Sequence, residues 1–241
     1  MKLDNALPRG VLVVLFTSAL FTSGCDVGVD AGPTQTAVKQ IDIGNAESTR
    51  AEIHMNSGEL HLSGGAPGLL DASFRYSQQI GQPEVHYQVT GGHGVLTLDS
   101  PKTNTTFRNK VNEWTLRMGS KAPLDLNVNL GAGTSDIDVS GLTMHSIGIH
   151  MGAGEMKLNL AGKYPKDVSA EVEGGAGEAI ITLPKDMGAV VDAKVGIGGV
   201  NVSGLQKRDG KYYNDAYVEG MPALRLDVRS GVGDITLKVA Q

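Results

Sequence analysis

Four acidic residues recur at one place in this 241-residue chain: Glu59, Glu155, Glu178 and Asp234 each follow the last glycine of a short glycine-rich turn. Carboxylates repeated at a fixed spacing are the residue type that can gather around a hard cation such as calcium, which prefers several oxygen ligands. If the turns stack as strands about 4.8 Å apart, Glu155 and Glu178 become adjacent like charges, a mildly destabilising arrangement that needs compensation. The basic residues Lys194, Arg229 and Lys157 near the same turns can supply it, and a bound cation is the alternative. Compensation by the basic residues is the expectation, so no metal or other cofactor is assigned.

Other chemistry fares less well. The histidines fall as His54 and His61, His86 and His93, and His145 and His150, with no cysteine among them and no helical spacing. A zinc site needs three or four converging ligands, so solvated polar positions are expected. No serine sits in a Gly-x-Ser-x-Gly elbow, which removes that route to a nucleophile. The glycine turns lack the strand-to-helix context of a phosphate loop. A net charge of −5 without runs of Lys or Arg gives no case for nucleic acid. No catalytic residue is assigned. The segment Gln206 to Met221 is different in kind: Tyr212, Tyr213 and Tyr217 lie beside Lys207, Arg208 and Lys211. Tyrosine with basic residues is the composition of an interface. Tyr212, Tyr213, Tyr217, Arg208 and Lys211 form the candidate interaction loop, and the competing role is a cover for an exposed sheet edge.

The elements that must position these groups are written in a repeat. Counting from Gly58, Gly94, Gly133, Gly154, Gly177, Gly198 and Gly233, alternate residues before and after each glycine are small or aliphatic. Leu126, Val128 and Leu130 precede one turn and Ile137 and Val139 follow it, with Asp125, Asn127, Asn129, Asp136 and Asp138 on the opposite face. Period-two spacing describes half-buried strands. From Gly133 the glycines advance by 21, 23 and 21 residues, the mark of stacked coils. The 33 glycines, about twice the usual share, serve the corners, where positive φ carries no steric cost. With 40% hydrophobic and 20% charged residues the chain can bury a sizeable core. The fold class is therefore all-β: a solenoid-like, β-helix-like stack of about seven strand–glycine turn–strand coils, with antiparallel hairpins stacked into a sandwich as the competing arrangement. Three long gaps, after Gly58, Gly94 and Gly198, hold insertions where function is sought. Trp114 alternates with Leu116 and Met118 and reads as core.

The N-terminus reads as an address. Lys2 and Arg9 precede the apolar stretch Val11 to Leu20, and Thr22-Ser23-Gly24-Cys25 ends it, which is the layout of an export signal. The stretch is short for a permanent span of about 20 residues. Cys25, the only cysteine, cannot form an internal disulfide. Its surroundings resemble a bacterial lipobox, with Thr22 where an aliphatic residue is usual, which implies cleavage between Gly24 and Cys25 and lipidation of Cys25. Asp26 resembles an inner-membrane retention signal. The domains are thus a signal peptide at 1–24, an anchored flexible tether at 25–40 and a repeat domain at 41–241.

Gly58-Glu59-Leu60-His61-Leu62, Asn112-Glu113-Trp114-Thr115-Leu116 and the Gly-Ala-Gly-Glu turns at 152–155 and 175–178 resemble the toast-rack family of bacterial envelope proteins, LiaF-like regulators and adhesin-type proteins among them. The resemblance implies a location in the cell envelope and carries no catalytic residues. The expected function is a non-enzymatic, lipid-anchored scaffold presenting loops to an envelope protein or glycan. A LiaF-like modulator of an envelope-stress response is the alternative, and a polysaccharide-active β-helix enzyme a remote one.

Overall fold

The computed structural model describes residues 29–102, 107–108 and 110–241. Those residues contain strands and no helix. The first eight strands are β1 (Val29–Asp30), β2 (Thr34–Ile41), β3 (Ser48–Gly64), β4 (Leu70–Ser77), β5 (Glu84–Thr90), β6 (His93–Asp99), β7 (Phe107–Arg108) and β8 (Asn112–Met118). Three long strands follow: β9 (Leu124–Asp138), β10 (Met144–Asn159) and β11 (Val168–Leu183). The last six are β12 (Gly188–Ile197), β13 (Val200–Ser203), β14 (Gln206–Arg208), β15 (Lys211–Tyr213), β16 (Ala223–Val232) and β17 (Ile235–Val239). All but β1 and β7, which pair with each other, belong to one 15-stranded mixed sheet.

Why the long strands bend follows from lengths. β9 has 15 residues, and a straight strand of that size reaches about 50 Å. The return segment 139–143 spans at most ~18 Å. It nevertheless brings Thr143 to accept a hydrogen bond from Leu124 N–H at 2.9 Å, beside the start of the strand it has just left. The strand must therefore fold back on itself, and it does so at Gly133, where φ is +137°. Gly58, Gly154, Gly177, Gly198 and Gly233 hold the same corner at φ between +129° and +143°. The corners stack into a ladder. A Cβ on Gly133, Gly154, Gly177, Gly233 or Gly198 would collide with the carbonyl oxygen of the corner glycine below it, and one on Gly58 would collide with the Asn112 carbonyl. Glycine is required twice over, by dihedral and by space.

Each long strand thereby supplies one half to each of two facing layers, and parallel pairing carries both along the stack. Gly58 pairs with Gly133, Gly133 with Gly154, and Gly154 with Gly177. This parallel register excludes the hairpin arrangement. Alternate residues of both halves meet in one core, from Ile53, Val128 and Ile149 in the first layer to Leu62, Ile137 and Leu158 in the second. Trp114 is fully buried there as expected, its ring edge-on to Phe74 at 5.4 Å and its Nε1–H donated to Asn112 Oδ1.

Four features depart from the sequence reading. Gly94 is not a corner: it lies in β6, in a hairpin with β5, and pairs with Thr49, so six coils share the corner ladder. The coil order is not the chain order, because β16–β17 inserts between β11 and β12–β13. The even spacing of Gly177 and Gly198 therefore does not make them neighbours. The first two insertions are not projecting loops; β5–β6 extends one half of β3 and β8–β4 the other. Finally, the part of the expected tether from Thr34 onward is a strand, β2, paired antiparallel with β4 from Thr34–Ser77 to Ile41–Leu70. It escapes a periodicity reading because only Ala37 and Ile41 pack against the core.

Candidate functional site

The acidic column exists as a register row. Glu59 pairs with Thr134, Thr134 with Glu155, and Glu155 with Glu178, on the outer surface just past the corners. Asp234 stands in the same row on the neighbouring coil, and its Oδ1 accepts the Gly199 N–H at 2.8 Å. Glu113 extends the row beyond Glu59 and is engaged by Arg75. Two of the three basic residues expected to balance the column are spent elsewhere: Lys194 bonds Asp192 at 3.2 Å, and Arg229 bonds Asp227 at 3.1 Å and approaches Glu173 at 3.7 Å. Glu155 and Glu178 stand exposed, and water screening at the surface makes their repulsion tolerable.

Four residues before each corner a second row runs parallel to the first: His54, Asn129, His150, Glu173, Arg229 and Lys194, in that spatial order. His150 Nδ1 lies 3.0 Å from Glu173 Oε2, and His54 Nδ1 lies 2.8 Å from Asp99 Oδ1. Between this row and the corners the outward position is Asn56 in the first coil and glycine in the other five: Gly131, Gly152, Gly175, Gly231 and Gly196. The strip, bare of side chains from the second coil onward, leaves an open groove of about 560 Å³ along the first four coils, lined by Asn56 and walled by His54, Asn129, His150 and Glu173.

The remaining histidines are also locally engaged. His93 meets Ser48 Oγ at 2.7 Å, His145 meets Asp125 at 2.7 Å, and His86 and His61 lie within 3.5 and 4.0 Å of Glu84 and Glu59. Asp125 is held below the ordinary carboxylate range: partial burial works against that, and bonds from Ser146 and His145 outweigh it. Among the described residues no three His, Cys, Asp or Glu side chains converge as a metal site would need.

The tyrosine insertion adopts the edge-covering role. β14 and β15 form a hairpin through Asp209 and Gly210, both at positive φ, and β15 pairs antiparallel with β12. Tyr212 is thereby buried in the core, a correction to its place among the interaction residues. Its phenyl ring closes the end of the first layer. Asn214 locks the hairpin down, donating to the carbonyls of Pro184 and Met187 and accepting from Ala189 N–H, each at 2.8 Å. Tyr213 and Tyr217 stack edge to face at 4.9 Å, with Arg208 over Tyr213 at 4.9 Å and Lys207 over Tyr212 at 5.1 Å. Tyr213, Tyr217 and Lys211 line an open groove with Arg225, Asp192 and Asp227. The role of Asn214 has no signal in the sequence beyond its place after three aromatic and basic residues. Cys25 and Gly24 lie outside the described residues.

The fold and these outer rows define an all-β scaffold of corner-stacked coils. The chain belongs to the toast-rack family: residues 30–182 match the model described as the N-terminal domain of toast_rack, DUF2154. It is similar to a solved structure of a putative cell adhesion protein from Clostridium sporogenes ATCC 15579, at 30% identity over 86% of this chain and 100% of that one, with a TM-score of 0.83. Putative adhesins from Bacteroides fragilis NCTC 9343 and Parabacteroides merdae ATCC 43184 match at 13% and 11% identity, covering 87% and 88% of this chain and 100% and 98% of theirs. Their TM-scores of 0.31 and 0.29 add nothing to the assignment. No curated protein matches the chain. No helix among the described residues is long and apolar enough to cross a membrane.

Proposed function

We propose that this chain is a non-enzymatic adhesion module of the bacterial cell envelope, held at a membrane through a lipid on Cys25 and binding an envelope protein or glycan with the outer face of its coils. The observation that carries this reading is the similarity along 86% of the chain to the cell adhesion protein named above. The geometry supports it. Outward polar side chains are arranged in rows and spent in pairs along the stack, a pattern suited to an extended ligand and unlike the converging acid, base and nucleophile of an active site. The groove over Gly131, Gly152 and Gly175 is open at the surface and runs across the strands, so a linear chain can lie in it. Export and lipidation at Cys25 fit a protein whose ligand is outside the cytoplasm.

The anchor is tested by fractionating cells that express the full chain. The expected result is membrane-bound protein for the native sequence and soluble protein for Cys25→Ala; equal membrane retention by both overturns it. For the binding face, His150→Ala with Glu173→Ala is expected to lower retention on isolated envelopes at least about tenfold while leaving the melting temperature within a few degrees, since exposed pairs contribute little stability.

A further inference from the structure

The two halves of the last coil end differently. β12 is capped at Val190 and Val191 by β15 of the β14–β15 hairpin, whereas β13 pairs only with β17. Among the described residues nothing lies along the other side of β13, so a row of backbone N–H and C=O groups faces outward. The core is open there too. Val202 is in register with fully buried Leu237 and is itself 42% exposed. The residue just before each corner lies toward the surface and is small in the first four coils, as Ser57, Ala132, Ala153 and Ala176, whereas in the last two it is Val232 and Ile197, 49% and 71% exposed, so apolar surface gathers at this end. Proteins blunt open edges with charge, proline or bulges. The other outermost strands carry charge: Lys39 on β2, Glu84 on β5, Lys207 and Arg208 on β14. β13, Val-Asn-Val-Ser, has no such device.

We propose that β13 is a self-association edge that pairs antiparallel with β13 of a second copy of this chain, about a two-fold axis at Asn201. The edge is complementary to itself. Opposed residues in an antiparallel pair share a face, so this axis sets Val200 against Val202 of the second copy on the core side. It sets the two Asn201 side chains against each other outside, where amides both donate and accept. The charges agree with the same axis. Lys238 stands behind Ser203, and Asp234 stands behind Gly199, whose N–H it accepts. Ser203 then faces Gly199 of the second copy, so each Lys238 stands in one register row with an Asp234 of the second copy, with two small residues between them. An isologous contact of this kind closes as a dimer and covers the apolar end on both copies. The edge is at the opposite end of the sheet from β2, the strand that continues from the N-terminal segment, so anchoring leaves it accessible.

The test uses residues 29–241, which contain the core as it is formed among the described residues and no cysteine. Asn201→Cys is expected to oxidise to a covalent dimer, because directly opposed positions bring Cβ atoms to about 5 Å, while Thr36→Cys on β2 stays monomeric. In sedimentation the native chain is expected to show a monomer–dimer equilibrium, weakened about tenfold or more by Val202→Lys or Ile197→Lys. A chain monomeric up to its solubility limit overturns the proposal. So does oxidation of Asn201→Cys no faster than Thr36→Cys, or a dimer indifferent to both lysine substitutions, which would mean that the copies meet elsewhere.

Discussion

Single residues decide this fold where backbone passes closest to backbone. Gly154 and Gly177 combine a left-handed φ with a carbonyl oxygen in the space a Cβ would take. Gly154→Ala or Gly177→Ala is therefore expected to cost several kcal/mol, on the order of 3 or more, in chemical denaturation. Gly141→Ala is the contrast: its Cβ would meet nothing and its φ is ordinary, so a change within about 0.5 kcal/mol is expected. Tyr164 offers a pH readout. Burial pushes its phenol from 10.0 up to about 12, with its O–H donated to the Leu160 carbonyl. Because the folded pKa is the higher one, the stabilisation is complete below about pH 10. It is lost between 10 and 12, where only the unfolded chain has released the proton, by about 2 to 3 kcal/mol in total. Tyr164→Phe is expected to flatten that part of the stability–pH curve, and an unchanged alkaline slope would contradict the assignment.

Elements were legible in the sequence to the extent that burial alternates. β9, β10 and β11 announce themselves because both of their halves are wet on one face and dry on the other, and the corner glycines mark where the face must be re-aimed. Gly94 misled because it too sits among alternating apolar residues, yet its hairpin turns at Gly91 and Gly92. Long-range order was illegible for a physical reason: local periodicity says that a strand needs neighbours and does not say which. That is why the placement of β16–β17 between β11 and β12 could not be read from spacing. The tyrosine hairpin shows the same limit, since an interface and an edge cover have one composition. Its burial predicts the energetics: Asn214→Ala strands two carbonyls and one N–H and is expected to cost about 2–4 kcal/mol. Detachment of the hairpin should appear as faster amide exchange along β12 and β15.

For the whole molecule, the stack turns a modest sequence into a stiff object with long polar rows, an open groove and two unlike ends. The candidate rows were half visible: His54 and His150 share a slot by counting, but that Asn129, Glu173, Arg229 and Lys194 complete the row in that order required the register. The adhesion reading lives at this scale, because no single residue performs it. The measurement that tests it most directly is retention of purified 29–241 chain on intact bacterial cells and on isolated envelope glycan, titrated to saturation. The account predicts saturable binding to at least one of these surfaces that falls about tenfold or more when His150 and Glu173 are replaced by alanine. Absence of saturable binding to both, or binding unchanged by that double substitution, would contradict it.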